Sequence, residues 1–194
     1  MFDASRVLPW NTLPATGYRL PATGLMNTAD IVRTLDTLLT ELVDGAPEEG
    51  GYTLNAGDEG LIRSLEKLSA AEASARTRTG SSIAAHTDHV RYGLSLMNRW
   101  SQGEDPFGSA DWNASWNKTT VSESEWRERI GSLRAEAARW QSVIRMPRDV
   151  SHVELNGMVG SIAHLAYHLG AIRQISQAAR GPAEGSGAES ETQN

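Results

Sequence analysis

The chain contains no cysteine. That excludes disulfides, thiolate metal ligands and a cysteine nucleophile, so any metal must be held by nitrogen and oxygen. A basic cluster is also missing. Eighteen Lys and Arg face 24 Asp and Glu, for a net charge of −6, which argues against a nucleic-acid partner. No apolar run approaches the ~18 residues that a membrane span needs. The first residues show no basic stretch followed by an apolar core, as a secretory signal would. These absences predict a cytoplasmic protein with neither nucleic-acid nor membrane partners. No segment alternates apolar and polar residues over a useful length, which leaves helices as the building material.

What is present reads as one domain's worth of chain, 194 residues. Residues 1–26 carry Pro9, Pro14 and Pro21 and read as an irregular N-terminal extension. Met26 is an alternative start. Residues 181–194 are Gly, Ser, Glu and Ala without apolar periodicity and read as a disordered tail. Between them, 27–180, the period is helical. Asn27 or Thr28 caps a first helix to about Asp44, with Ile31, Leu35, Leu38 and Leu42 on one face. A Pro/Gly-rich loop, 45–57, precedes a short helix over about 58–68. There Asn55 and Asp58 are expected as caps. Ser69-Ala-Ala-Glu72 has the form of a capping box. A long helix follows over about 81–102, then a loop to Asn117 containing Trp112 and Trp116. Ser122-Glu-Ser-Glu125 is a second capping box. It opens a helix to about Arg145 whose apolar positions, Trp126, Ile130, Leu133, Ala137, Trp140 and Ile144, recur as a bundle seam requires. The last helix is expected over about 153–179, closed by Gly181-Pro182. Four principal helices give an all-α, antiparallel four-helix bundle.

Four of the five histidines fall in two helical clusters. His164 and His168 are four apart, so their Cβ atoms stand about 5–6 Å apart on one helix face. That gap suits two imidazole nitrogens converging on one ion at about 2.0–2.1 Å each. At about 100° per residue, both lie well away from the apolar stripe of Leu155, Met158, Val159, Ile162, Leu165, Ala166 and Leu169. Their own face carries Gly157, Gly160 and Ser161, small residues that leave space for a pocket or a close neighbour. On the earlier helix His86 lies near the centre of the stripe Ile83, Val90, Leu94 and Met97, and His89 lies at its edge. Either can complete a three-histidine site for Zn²⁺ or Ni²⁺ with one position left for water. The residue after His164 is Leu165, so this is not the zincin pair with its glutamate base. Asp88 and Tyr167 adjoin the histidines in sequence but project elsewhere. Helix-surface solvation is expected for Asp88, and core packing or a carbonyl hydrogen bond for Tyr167. Arg173 suits the helix-end dipole, and ordinary packing is expected of Trp112 and Trp116.

Two stretches resemble the DinB/YfiT-like superfamily of four-helix-bundle proteins. Ser82-Ile-Ala-Ala-His86-Thr-Asp-His89 resembles its second-helix pattern, and His164-Leu-Ala-Tyr-His168-Leu-Gly170-Ala-Ile172 its final-helix pattern. The resemblance implies that His89, His164 and His168 are the metal ligands. His86 then stands behind them or serves as an alternative ligand. It further implies a divalent metal, often a homodimer, and thiol-dependent chemistry in which a small thiol attacks an electrophile. Two other outcomes remain open from the residues alone. One is a non-catalytic metal-binding stress or regulatory protein; the other is a bundle whose histidines only hydrogen-bond in the core.

Overall fold

The structure, a computed structural model, describes residues 27–77, 80–176 and 179. The proline-bearing segment 1–26, the 181–194 tail and the expected Gly181-Pro182 stop lie outside the described residues. Among the described residues there are six α-helices and no strand: α1 Thr28–Asp44, α2 Leu61–Glu66, α3 Ala70–Ser74, α4 Ile83–Ser101, α5 Glu123–Arg145 and α6 His152–Ile175. Single 3-10 turns at Phe107–Ser109 and Ala114–Trp116 interrupt the long connection between α4 and α5.

Local chemistry sets most of the boundaries. Asn27 caps α1 by accepting from the Asp30 N–H, and Gly45, at φ 124, ends it in a conformation that side chains rarely adopt. Ser69 with Glu72 and Ser122 with Glu125 form complete capping boxes, and so do Ser151 and Glu154 at the start of α6. All six seam positions of α5 are buried. Two of them carry indoles that reach across the fold: Trp126 Nε1 donates to Leu68 O, and Trp140 Nε1 to Ser161 Oγ, each at 2.8 Å. Pairing an indole N–H in this way lets a large apolar side chain be buried without stranding its donor.

The four long helices form a closed ring of neighbours, with α1 and α4 each packed on both α5 and α6. Directions follow from the side-chain pairs. Asp36–Arg145 and Thr40–Gln141 run α1 against α5. His86–His168 and His89–His164 run α4 against α6. By contrast Asp88–Arg129 and Asn98–Glu136 advance together, so α4 and α5 are parallel. The antiparallel expectation therefore holds for the first two pairs and not for the third. A parallel pair joined in sequence needs a connection that travels back the whole length of α4, about 28 Å for 19 residues. Residues 102–122 make that return, and Ser82 Oγ donates to Thr119 O at 2.7 Å where it arrives beside the start of α4.

The loop between α1 and α2 is tied at two points. The buried Glu41 carboxylate accepts from the Tyr52, Thr53 and Leu54 N–H groups and from the Thr53 hydroxyl. Asp58 does not cap the short helix as expected. Gly60 precedes α2 without a side-chain cap, and Asp58, buried, takes a two-pronged ion pair from Arg173 of α6 at 2.7 and 3.1 Å. Arg173 does lie in the last turn of α6, but its guanidinium is spent on this loop. Asp88 is likewise not a solvated surface group: it pairs with Arg91 at 3.0 Å and faces Arg129 at 3.9 Å.

Candidate metal centre

The antiparallel packing of α4 on α6 brings the two histidine clusters together. His89 Nε2 lies 3.1 Å from His164 Nε2, and His168 Nε2 lies 3.0 Å from the same atom. The three ligand atoms all fall within 4.8 Å of one another, so the trio can hold a metal ion. Nitrogens 3.0–3.1 Å apart subtend roughly 90–100° at an ion bound at about 2.0–2.1 Å. For those two pairs the angle lies between the octahedral and tetrahedral values. Two lone pairs turned toward each other at 3.0–3.1 Å repel unless a proton or a cation lies between them.

The outward nitrogens fix which lone pairs point inward. Ser115 Oγ donates its one proton to the Trp112 carbonyl at 2.6 Å. It must then accept from His89 Nδ1, 2.7 Å away, so His89 carries its proton on Nδ1 and turns a bare Nε2 to the centre. His168 meets His86 through their Nδ1 atoms at 2.9 Å. If His168 donates across this contact, its Nε2 is also bare, and His86 stands on the far side of that ring from the trio. Supports of this kind set the tautomer and ring angle of metal-binding histidines.

Burial and crowding keep the cluster neutral. Desolvation, followed by the neighbouring His164 and His86 rings, pushes the His89 pKa down to about 4, with Asp88 opposing. Desolvation and the other three imidazoles push His168 down to about 3. His86 and His164 are lowered by desolvation as well. Neutral imidazole is the form that binds a cation. The returning loop supplies the cover. Trp116 stacks on His89 with ring centres 4.2 Å apart and meets His86 edge-on at 5.0 Å, and Trp112 lies 5.6 Å from His89. The tryptophans therefore roof the histidines instead of filling ordinary core. Tyr167, expected in the core, is 68% exposed, with its ring against the edge of His168.

The helical wheel misplaced one face. His168 is buried with Met158, Ile162, Leu165, Leu169 and Ile172, whereas Val159 is exposed. The histidine stripe adjoins the packing face instead of opposing it. The role of Ser115 beside the histidines is not legible in the sequence, because it sits in an aperiodic loop and its partner lies 26 residues away.

A cleft of about 260 Å³ opens beside the cluster, between α4, α6 and the returning loop, and His164 lines it. Gly157, Gly160 and Ser161, the small residues noted on that face of α6, line it too. Compared with known proteins, the chain matches no family model, no curated protein and no solved structure.

Proposed function

We propose that the chain is a divalent-metal-dependent enzyme of the DinB/YfiT-like four-helix-bundle type, with His89, His164 and His168 as the ligands of one Zn²⁺ or Ni²⁺ ion. The observation that carries this is the close approach of the His89 and His168 Nε2 atoms to His164 Nε2, with the outward nitrogens of His89 and His168 engaged by Ser115 and His86. A cation held by three neutral imidazoles supplies an open Lewis-acid position that lowers the pKa of a thiol or a water. The chain's own groups do the rest. Ser115 and His86 hold two of the rings in register, and Trp112 and Trp116 keep bulk water from one side. The cleft gives a small molecule access from the His164 side. Thiol-dependent S-transfer is the reaction class we favour, with metal-assisted hydrolysis beside it: in S-transfer the thiol sulfur forms a bond to an electrophilic carbon, its proton goes to solvent, and the leaving group departs with the electron pair of the broken bond. Partners are accordingly a small thiol and its electrophile, with a second copy of the chain as the expected assembly. Among the described residues no helix is long and apolar enough to cross a membrane; cytoplasmic placement belongs to this proposal.

The alternative, a non-catalytic metal-binding stress or regulatory protein, calls for a closed shell with His86 as fourth ligand. The Nδ1–Nδ1 contact of His86 with His168, on the far side of that ring from the cluster centre, favours three ligands and an open position. Metal analysis of untagged protein tests the proposal. About one equivalent of Zn²⁺ or Ni²⁺ is expected in the native protein, and loss of it in His89→Ala and His164→Ala. Occupancy near zero after supplying either ion would leave only a core of hydrogen-bonded histidines.

A further inference from the structure

The cleft beside His164 has a composition that narrows what can occupy it. Leu94, Met97, Phe107 and Trp112 form its walls, and among the described residues His164 is the one ionisable group lining it. Ser161 contributes a hydroxyl that is engaged twice already: it accepts from Trp140 Nε1 at 2.8 Å and donates to Met158 O at 2.7 Å. A charge brought here from water would find no partner along the walls, and that desolvation is costly. Glycine makes the room in two different ways. A Cβ on Gly157 would lie 2.8 Å from the Trp100 ring, so this glycine lets α6 approach α4. A Cβ on Gly160 would meet no described atom within 4 Å, so this one borders open space.

We infer that the cleft binds the apolar body of the substrate, an uncharged compound with one or two aromatic rings, and presents its reactive end to the His164 side of the centre. Its destination rests on the metal-dependent reading above; its chemistry rests on the cleft alone. An apolar cavity of about 150 Å³ takes up benzene, so about 260 Å³ admits a two-ring system. Trp112 and Phe107 offer ring faces and edges to such a guest, and Met97 a polarisable thioether.

Naphthalene is the probe, titrated into the full chain with and without prior EDTA treatment. Saturable binding of one molecule per chain is expected in both states, with NMR shifts centred on the Met97 methyl and the Trp112 indole N–H. Gly160→Phe places a ring at the border of the cleft and should weaken naphthalene binding at least tenfold while leaving metal content unchanged. Gly131→Phe, the same change at an open position on α5, should leave both unchanged. Absence of saturation, or shifts centred away from Met97 and Trp112, overturns the inference, and so does tight binding by Gly160→Phe. Metal uptake without naphthalene binding removes this inference alone; naphthalene binding without metal uptake removes the metal reading and leaves the cleft assignment standing.

Discussion

Replacing Ser115 by alanine isolates the link between the returning loop and the metal centre. The serine hydroxyl is buried, accepts from His89 Nδ1 at 2.7 Å and passes its own proton to Trp112 O at 2.6 Å. Alanine removes both bonds with the loss of one atom. The carbonyl loses its donor whether or not an ion is bound, so that loss lowers stability, by about 1–2 kcal/mol, without touching affinity. The His89 N–H is different. A ring that gives its Nε2 lone pair to a cation becomes a stronger donor at Nδ1, so an acceptor there matters more in the metal-bound state. Loss of such a support costs about 10–100-fold in affinity, equivalent to about 1.4–2.8 kcal/mol. The assay is competition for Zn²⁺ with a chromophoric chelator at neutral pH, alongside thermal denaturation. Ser64→Ala serves as the comparison, since it deletes an equally buried hydroxyl, bonded to Gly60 O at 2.8 Å, away from the histidines. It should lose stability and keep full affinity. An affinity for Ser115→Ala within twofold of the parent would refute the assignment of the Nδ1 proton and of His89 as a supported ligand.

Glu41→Gln should destabilise the protein by about 2–3 kcal/mol at neutral pH, because a charged acceptor of four hydrogen bonds becomes neutral. Burial alone would raise the Glu41 pKa, but the bonds from Tyr52, Thr53 and Leu54 outweigh it and hold the carboxyl below its ordinary value of 4.5. A folded-state pKa below the unfolded one contributes stability that is full above the unfolded value and fades as pH falls through the folded one. The melting-temperature gap between parent and Glu41→Gln should therefore be widest near pH 7 and shrink below about pH 4; a gap that grows with acid would contradict it. Arg173→Met should cost about 3–5 kcal/mol in chemical denaturation, because it strands the buried Asp58 carboxylate. The double change Arg173→Met with Asp58→Leu should recover part of that loss, and a double variant no better than the single would show that the pair is not a coupled unit.

The helices were legible because what forms them is local. The capping boxes at Ser69 and Ser122 and the Asn27 cap are short patterns read within four residues, and each is formed as the residues imply. The α5 seam is buried position for position because that helix has one wet side. On α6 the same wheel places Met158, Ile162, Leu165 and Leu169 inside, where the structure has them, but it misses the covered His168 and the exposed Val159; with Val153 and Tyr167 also facing solvent, apolar residues surround this helix and blur its inner face. The ties that set the loops were out of reach for a different reason. Arg173 and Asp58 are 115 residues apart, and Glu41 serves backbone groups 11–13 residues on. Neither distance leaves a trace in a local pattern.

The choice between His86 and His89 shows where spacing stops and topology begins. Three residues apart on α4, both rings face α6, but they sit about 4.5 Å apart along the axis. Because the helices run in opposite directions, the earlier histidine of α4 meets the later one of α6. His86 therefore falls beside His168 and can reach only its Nδ1 edge, while His89 falls level with His164 and joins its Nε2 to the centre. Parallel packing would have exchanged those partners. The parallel α4–α5 pair adds the second condition, since it forces the connecting chain back across the histidines, where Trp116 and Ser115 then cover and orient His89. Two helix directions, each invisible in the histidine spacing, thus decide which imidazole joins His164 and His168 in the trio and which stands behind it.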